Sequence, residues 1–276
     1  MIGRIVKILS NDFTIKYDNK YIICKARGNF RNKKIVPLCG DKVVFNEEKK
    51  FIEEILPRKN SLIRPPVSNV DIALIVVSVK NPEFSSNLLD KMLNIIEFNN
   101  IKPVIIISKY DLLEDKSYID NIIKYYKKIG YEVFINSELD LIKKIFINNI
   151  VILTGQTGVG KSTLINKLDE NLKLKTNEIS KALGRGKHTT RHIELYDIQG
   201  GLIADTPGFS SLEFINMTKE DIRDNFIEFN EYKDKCKYRD CMHINEDDCE
   251  IKRRVALGDI LKIRYDNYVK FITDQN

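Results

Sequence analysis

What the sequence lacks narrows it first. No apolar run approaches the ~20 residues of a membrane-spanning helix, since the longest mainly apolar stretch runs only from Ile72 to Val79. Membrane association is therefore not expected. The opening residues, MIGRIVKILSNDF, do not combine a basic start with a long apolar segment. No secretory signal is visible there, so a cytoplasmic location is expected. Internal repeats and low-complexity tails are absent, which removes solenoid architectures and long disordered arms. Cysteine is sparse, at five in 276 residues, and without a secretory signal a disulfide scaffold is not expected. What is there suits a soluble globular chain: 43% apolar and 30% charged residues over 276 positions, enough for roughly two domains and a third small one.

Charge is uneven along the chain. Residues 1–60 hold 14 basic and 7 acidic side chains, while the other 216 residues hold 31 and 32. The whole net charge of +6 thus comes from the first fifth of the sequence. Such a segment suits a polyanion partner, most simply nucleic acid, although a solvated lysine-rich surface reads the same way.

Residues 1–56 read as short strands, GRIVKIL, FTIKYD, KYIICKA, DKVVF and KKFIEEIL, separated by turn-formers. Five short strands in so little chain predict a small antiparallel barrel of OB type, with an SH3-like barrel as the alternative. Pro57, Pro65 and Pro66 then predict a linker without regular structure. Beyond it, VDIALIVVSV reads as a strand buried on both faces, NLLDKMLNIIEF as a helix and KPVIIIS as a strand. A helix carrying Ile119, Ile122, Ile123 and Tyr126 and the strands YEVFIN and NIVILTG follow. This alternation predicts a doubly wound α/β domain with a mostly parallel sheet over residues 69–213. The segments TKEDIRDNFIEFNEY, IKRRVALGDI and ILKIRYDNYVKFI predict a small helical domain over 214–276.

NIVILTG runs straight into Gly155-Gln156-Thr157-Gly158-Val159-Gly160-Lys161-Ser162-Thr163, which fits G-x-x-x-x-G-K-S/T. Glycines there let backbone N–H groups curl around phosphates at a helix N-terminus, Lys161 neutralises the β- and γ-phosphates, and Ser162 ligates Mg²⁺. Further on, LIADTPG ends an apolar strand with Asp205, suited to the Mg²⁺ shell, and Gly208, whose N–H suits the γ-phosphate. Between the two lies GRGKHTT (184–190). One of its threonines, Thr189 or Thr190, can ligate Mg²⁺ only while the γ-phosphate is present, and Thr190 is taken as that ligand.

Upstream, Ser108-Lys109-Tyr110-Asp111 resembles the Asn-Lys-x-Asp base-recognition motif of GTPases. The Asp111 carboxylate can accept from the guanine ring N–H and exocyclic amine, and adenine offers no matching donors. Ser108 stands where Asn is usual, so guanine preference rests on Asp111. In ordinary GTPases the phosphate loop comes first. Here SKYD precedes it and DTPG comes last.

Cys236-x4-Cys241-x-His243-x5-Cys249 offers three thiolates and an imidazole, the donor set of a closed structural Zn²⁺ site. Three buried cysteines beside a surface histidine is the alternative. With four protein ligands no position stays open for catalysis, so a structural role is expected.

Together these residues resemble the circularly permuted GTPase family known as ribosome-small-subunit-dependent GTPase A (RsgA). The resemblance implies an OB barrel over 1–60 that contacts RNA, a permuted GTPase domain over 69–213 and a zinc-knuckle domain over 214–276. It implies GTP hydrolysis with Mg²⁺, stimulated by the 30S subunit during its late assembly, and contacts with 16S rRNA. A monomer is the default for a factor docking on so large a particle. Phe209 follows DTPG where Ras-like enzymes carry a water-orienting Gln. His188 resembles the family's proposed catalytic histidine, placed to orient water or stabilise charge. A histidine that only packs or contacts RNA is the other reading.

Overall fold

The period-two alternation of the first 55 residues is realised as five strands: β1 (Ile2–Leu9), β2 (Asp12–Tyr17), β3 (Lys20–Ala26), β4 (Lys42–Asn46) and β5 (Phe51–Ile55). The computed structural model describes residues 1–26, 36–63, 65–169, 172, 193–204 and 213–275. The five strands close into a barrel in the order β1-β2-β3-β5-β4. β1 pairs antiparallel with both β2 and β4, while β3 and β5 run parallel. That order is the OB type and rules out the SH3-like alternative. Ile5, Ile15, Val43, Phe45 and Ile52 are fully buried and fill the barrel. Tyr21, Ile23 and Phe51 face outward.

The proline-marked linker departs from expectation by holding a small hairpin, β6 (Ser61–Leu62) with β7 (Val67–Ser68). Side chains supply what the prolines cannot. Buried Asp41 accepts from the Leu38 amide at 2.8 Å, the Arg58 Nε at 2.7 Å and the Ser68 hydroxyl at 2.6 Å. Asn60 exchanges hydrogen bonds with the Val70 backbone at 2.8 and 2.9 Å. A buried carboxylate is tolerable only when paired and hydrogen-bonded in this way.

The remaining strands are β8 (Ile72–Ser78), β9 (Lys102–Ser108), β10 (Glu132–Ile135), β11 (Ile150–Thr154), β12 (Leu195–Ile198) and β13 (Gly201–Ala204). They form one six-stranded sheet of order β10-β9-β8-β11-β13-β12. β9 and β10 run parallel, as do β11 and β13, and β12 joins the edge antiparallel. Every residue of β8 and β11 is buried, which is why these strands read as unbroken apolar runs. The helices are α1 (Ser86–Phe98), α2 (Ser117–Lys128), α3 (Leu139–Phe146), α4 (Lys161–Leu168), α5 (Lys219–Asp224), α6 (Glu250–Leu257) and α7 (Lys262–Thr273).

The chain forms two compact units, Met1–Leu74 with Ser137–Phe209, and Ile75–Asn136 with Ser210–Asn276. In the first, the barrel sits against β12. Lys7 bridges Glu194 through backbone and side chain, the latter at 2.7 Å, and the Cys39 thiol donates to the Ile193 carbonyl at 3.0 Å. In the second, α1 packs against α5 and α7. The helix expected over 218–232 divides into α5, capped by a Thr218–Asp221 capping box, and a 3₁₀ turn over Ile227–Glu231. Phe226 leaves the helical region at ψ 87°. Its ring and that of Phe229 then meet Tyr268 at 5.3 and 5.1 Å. Burying two aromatic rings outweighs continuing a polar helix.

Candidate nucleotide loops and metal centre

β11 delivers the chain, fully buried, to Gly155, after which Gln156, Thr157 and Gly158 come to the surface. Gly155, Gly158 and Gly160 adopt φ of 138°, 84° and 99°, conformations that L side chains rarely adopt. Buried Val159 anchors the loop between them. α4 then opens on Gly160, an N-cap with no side chain to cap its first N–H groups, the arrangement that receives anions. Ser162 and Thr163 stand exposed on that first turn. The Lys161 ammonium donates to the Gly155 and Gln156 carbonyls, both at 2.6 Å. The lysine therefore lies folded over the loop its phosphate would occupy. Partial burial lowers its pKa, because desolvation disfavours the charged form.

The SKYD segment leaves β9 with Ser108 buried and its hydroxyl donating to the Val77 carbonyl at 3.2 Å. Lys109 turns through φ 58° and its ammonium reaches the Asn81 carbonyl. Tyr110 donates to Asp120 at 2.5 Å, which pins the 3₁₀ turn Tyr110–Leu112. Asp111 projects into solvent from that turn. The neighbouring strand end, where the Asn136 amide donates to the Ile107 carbonyl at 2.9 Å, lines the same edge. Sequence reasoning did not single out Asn136, and nothing in its residue type marks it. Asp205, Gly208, Phe209, His188, Thr189 and Thr190 lie outside the described residues.

Cys236, Cys241, His243 and Cys249 converge, with their donor atoms all within 4.8 Å of one another. His243 Nδ1 lies 3.6 Å from the Cys236 sulfur and 3.4 Å from that of Cys249. Tetrahedral Zn²⁺ with bonds of ~2.3 Å to sulfur and ~2.0 Å to nitrogen puts such donors about 3.5 Å apart, so the residues fit the ion. Burial lowers the His243 pKa to about 4 and raises that of Cys241 to about 12. A neutral imidazole is what a metal needs, and a cation among the thiols would favour their thiolates. The turn is held from outside: Glu246 accepts from the Met242 and Ile244 amides at 2.6 and 2.9 Å, and Tyr265 donates to the His243 carbonyl at 2.7 Å.

The RsgA GTPase family profile matches residues 55–215, and the RsgA N-terminal domain profile matches residues 2–51. The small ribosomal subunit biogenesis GTPase RsgA of Halalkalibacterium halodurans is 45% identical over 99% of this chain and 96% of its own. The protein of the same name from Bacillus subtilis is also 45% identical, with the same coverage. The chain belongs to the RsgA GTPase family. Among solved structures, YloQ, a circularly permuted GTPase, superposes with a TM-score of 0.84 at 38% identity, covering 100% of this chain and 96% of that one. YjeQ from Thermotoga maritima does so with 0.84 at 32%, covering 99% and 97%. As a member of the RsgA GTPases this chain is a GTP hydrolase, and its strands carry the permuted motif order.

The RsgA assignment leaves one buried cluster unexplained. Arg264 of α7, 1% exposed, donates to Asp90 of α1 at 2.6 Å and to both oxygens of Glu228 at 2.5 and 2.8 Å. Tyr126 of α2 donates to Asp90 at 2.5 Å, and Asn267 donates to its other oxygen at 2.6 Å. The rings of Phe226 and Tyr126 flank the guanidinium at 5.0 and 5.1 Å. The last helix is thereby locked into the helices that follow β8 and SKYD.

Proposed function

We propose that this GTPase acts on the small ribosomal subunit late in its biogenesis, with hydrolysis of GTP stimulated by the subunit. The observation that carries the reading is the coincidence, in one chain, of a glycine-rich phosphate loop, SKYD, a Cys₃His turn and a barrel with a basic, aromatic exterior. Relatives named for small-subunit biogenesis match it nearly end to end. In this reading Gly155 to Gly160 wrap the phosphates, Lys161 leaves its loop carbonyls for the β- and γ-phosphates, and Asp111 selects guanine. Ser162 and Thr190 would hold Mg²⁺ with Asp205 behind them, and the Gly208 N–H would meet the γ-phosphate. The ion would neutralise charge developing on the transferring group. Phe209 cannot orient water, so His188 takes that part. Cys236, Cys241, His243 and Cys249 would hold one Zn²⁺, which staples the C-terminal turn and performs no chemistry.

The barrel and the knuckle are read as the surfaces that meet 16S rRNA, and the protein as a monomer that works where bacterial ribosomes assemble, in the cytoplasm. Among the described residues no helix is long and apolar enough to cross a membrane. Turnover of GTP measured with and without purified 30S subunits, at stated salt, tests the reading. Stimulation by the subunit supports it. Equal turnover in both conditions leaves an RNA-binding switch with incidental hydrolysis, and a preference for ATP overturns the base assignment.

A further inference from the structure

The outer face of β2 and β3 carries the features of a nucleic-acid platform. Tyr21, Ile23 and Phe51 are 55%, 58% and 37% exposed. Lys16 and Tyr21 are register partners across the two strands, with the ammonium 6.0 Å from the ring centroid, and Lys25 pairs with Phe51 across β3 and β5. Exposed rings beside cations stack on bases and hold phosphates. Yet two of these groups are already engaged. Asp197 of β12 accepts from the Lys16 ammonium on one oxygen and from the Tyr21 hydroxyl on the other. Beside the pair opens a cleft of about 650 Å³, lined among others by Arg4, Lys16, Asn19, Asn149, Asp197 and Gln199. Lys16 and Asp197 both line it, so the ion pair can be approached from its open side.

We propose that Asp197 is a built-in stand-in for an RNA phosphate, occupying Lys16 and Tyr21 until a phosphodiester displaces it. The inference rests on the reading of the barrel as an RNA-binding surface and adds a residue that tunes it. An anion must compete for the same two donors, so the carboxylate lowers RNA affinity by whatever the internal contact is worth. The barrel stays seated on β12 after displacement, because Lys7–Glu194 and the Cys39–Ile193 hydrogen bond do not involve Asp197. Part of the Lys16 charge is already offset by the carboxylate, so fewer ions are set free per complex than the phosphate contact alone would give.

The test is the binding of full-length protein to purified 30S subunits and, separately, to an oligouridylate, across a salt series. Asp197→Asn is expected to tighten both by about two- to fivefold, the worth of an exposed ion pair, and to steepen the salt slope by up to about one. In a Lys16→Met/Tyr21→Phe background the same substitution is expected to change nothing. Equal tightening in both backgrounds reduces the effect to overall charge and overturns the proposal, as does unchanged or weaker binding of Asp197→Asn. Binding of the oligouridylate without the subunit removes the ribosomal reading and leaves the competition to be judged on the oligonucleotide. Failure of the unmodified chain to bind either one overturns both.

Discussion

Arg264 offers the sharpest test of how the C-terminal region is held. Its guanidinium and the Asp90 and Glu228 side chains are 2%, 0% and 4% exposed, so all three charges have left water. Replacing Arg264 by Met keeps much of the apolar stem and removes five donors. Two carboxylates then remain buried, and among the described residues Tyr126 and Asn267 are left to satisfy Asp90. Breaking a buried ion pair by removing one partner costs about 3–5 kcal/mol, mostly from the charge left behind. The loss should depend on pH. Burial already raises the Asp90 pKa above the ordinary carboxylate value, with Arg264 pulling it back down. Without Arg264 the folded-state value climbs further. A group with a raised folded-state pKa contributes stability below its unfolded value and loses it as pH rises through the folded one. The deficit of Arg264→Met relative to the native chain is therefore largest at pH 7–8 and shrinks toward pH 5. The chain has 12 tyrosines and no tryptophan, so denaturant unfolding followed by tyrosine fluorescence and circular dichroism reads it directly. Adding Glu228→Gln should recover part of the loss by removing one orphaned charge. A penalty below about 1 kcal/mol, the scale of an exposed pair, independent of pH and untouched by Glu228→Gln, would refute the reasoning.

Other outcomes follow from single contacts. Elemental analysis should find one zinc per chain, and Cys249→Ser should abolish it together with the cooperative melting of the C-terminal turn. Asp111→Asn should weaken GTP binding by about tenfold or more, the worth of hydrogen bonds to a charged group, and shift preference toward xanthosine triphosphate, whose 2-oxo group accepts where guanine donates; calorimetry with both nucleotides checks it. A Cβ at Gly201 would stand 1.7 Å from the Phe146 carbonyl and 2.6 Å from that of Asn149. Gly201→Ala should thus cost about 1–3 kcal/mol, visible as a lowered melting temperature, by forcing β13 away from the end of α3.

The elements most legible in the sequence are those whose partners matter least. KPVIIIS reads as a strand and is one over the same seven residues, because a run of β-branched side chains buried on both faces needs no particular neighbour. The phosphate loop is equally local: its conformation depends on glycines within six positions of one another. The Cys₃His turn is closed by four donors inside 14 residues. α3, by contrast, spans eight residues, about two turns, too few for a helical period to stand out from LDLIKKIF. β12 reads LYDI and has no apolar run, because its outer edge meets the barrel through Glu194 and Asp197.

The buried charges were hidden for a different reason. Asp90, Glu228 and Arg264 each look like solvated positions between apolar ones, and the pairs they form span 174 and 36 residues. Only the fold brings them together, and only together are they tolerable out of water. The permuted order makes this possible, since the segment after DTPG leads straight into the C-terminal helices. α7 then reaches back from the Cys₃His turn, where Tyr265 and Tyr268 grip the His243 and Met242 carbonyls, to Asp90 on the helix that follows β8. One 12-residue helix thus ties the candidate metal turn to the framework that carries SKYD. Loss of the ion should therefore loosen guanine binding even though no metal ligand comes from that motif. Nucleotide affinity that stays constant while zinc is chelated from the intact chain would break this link.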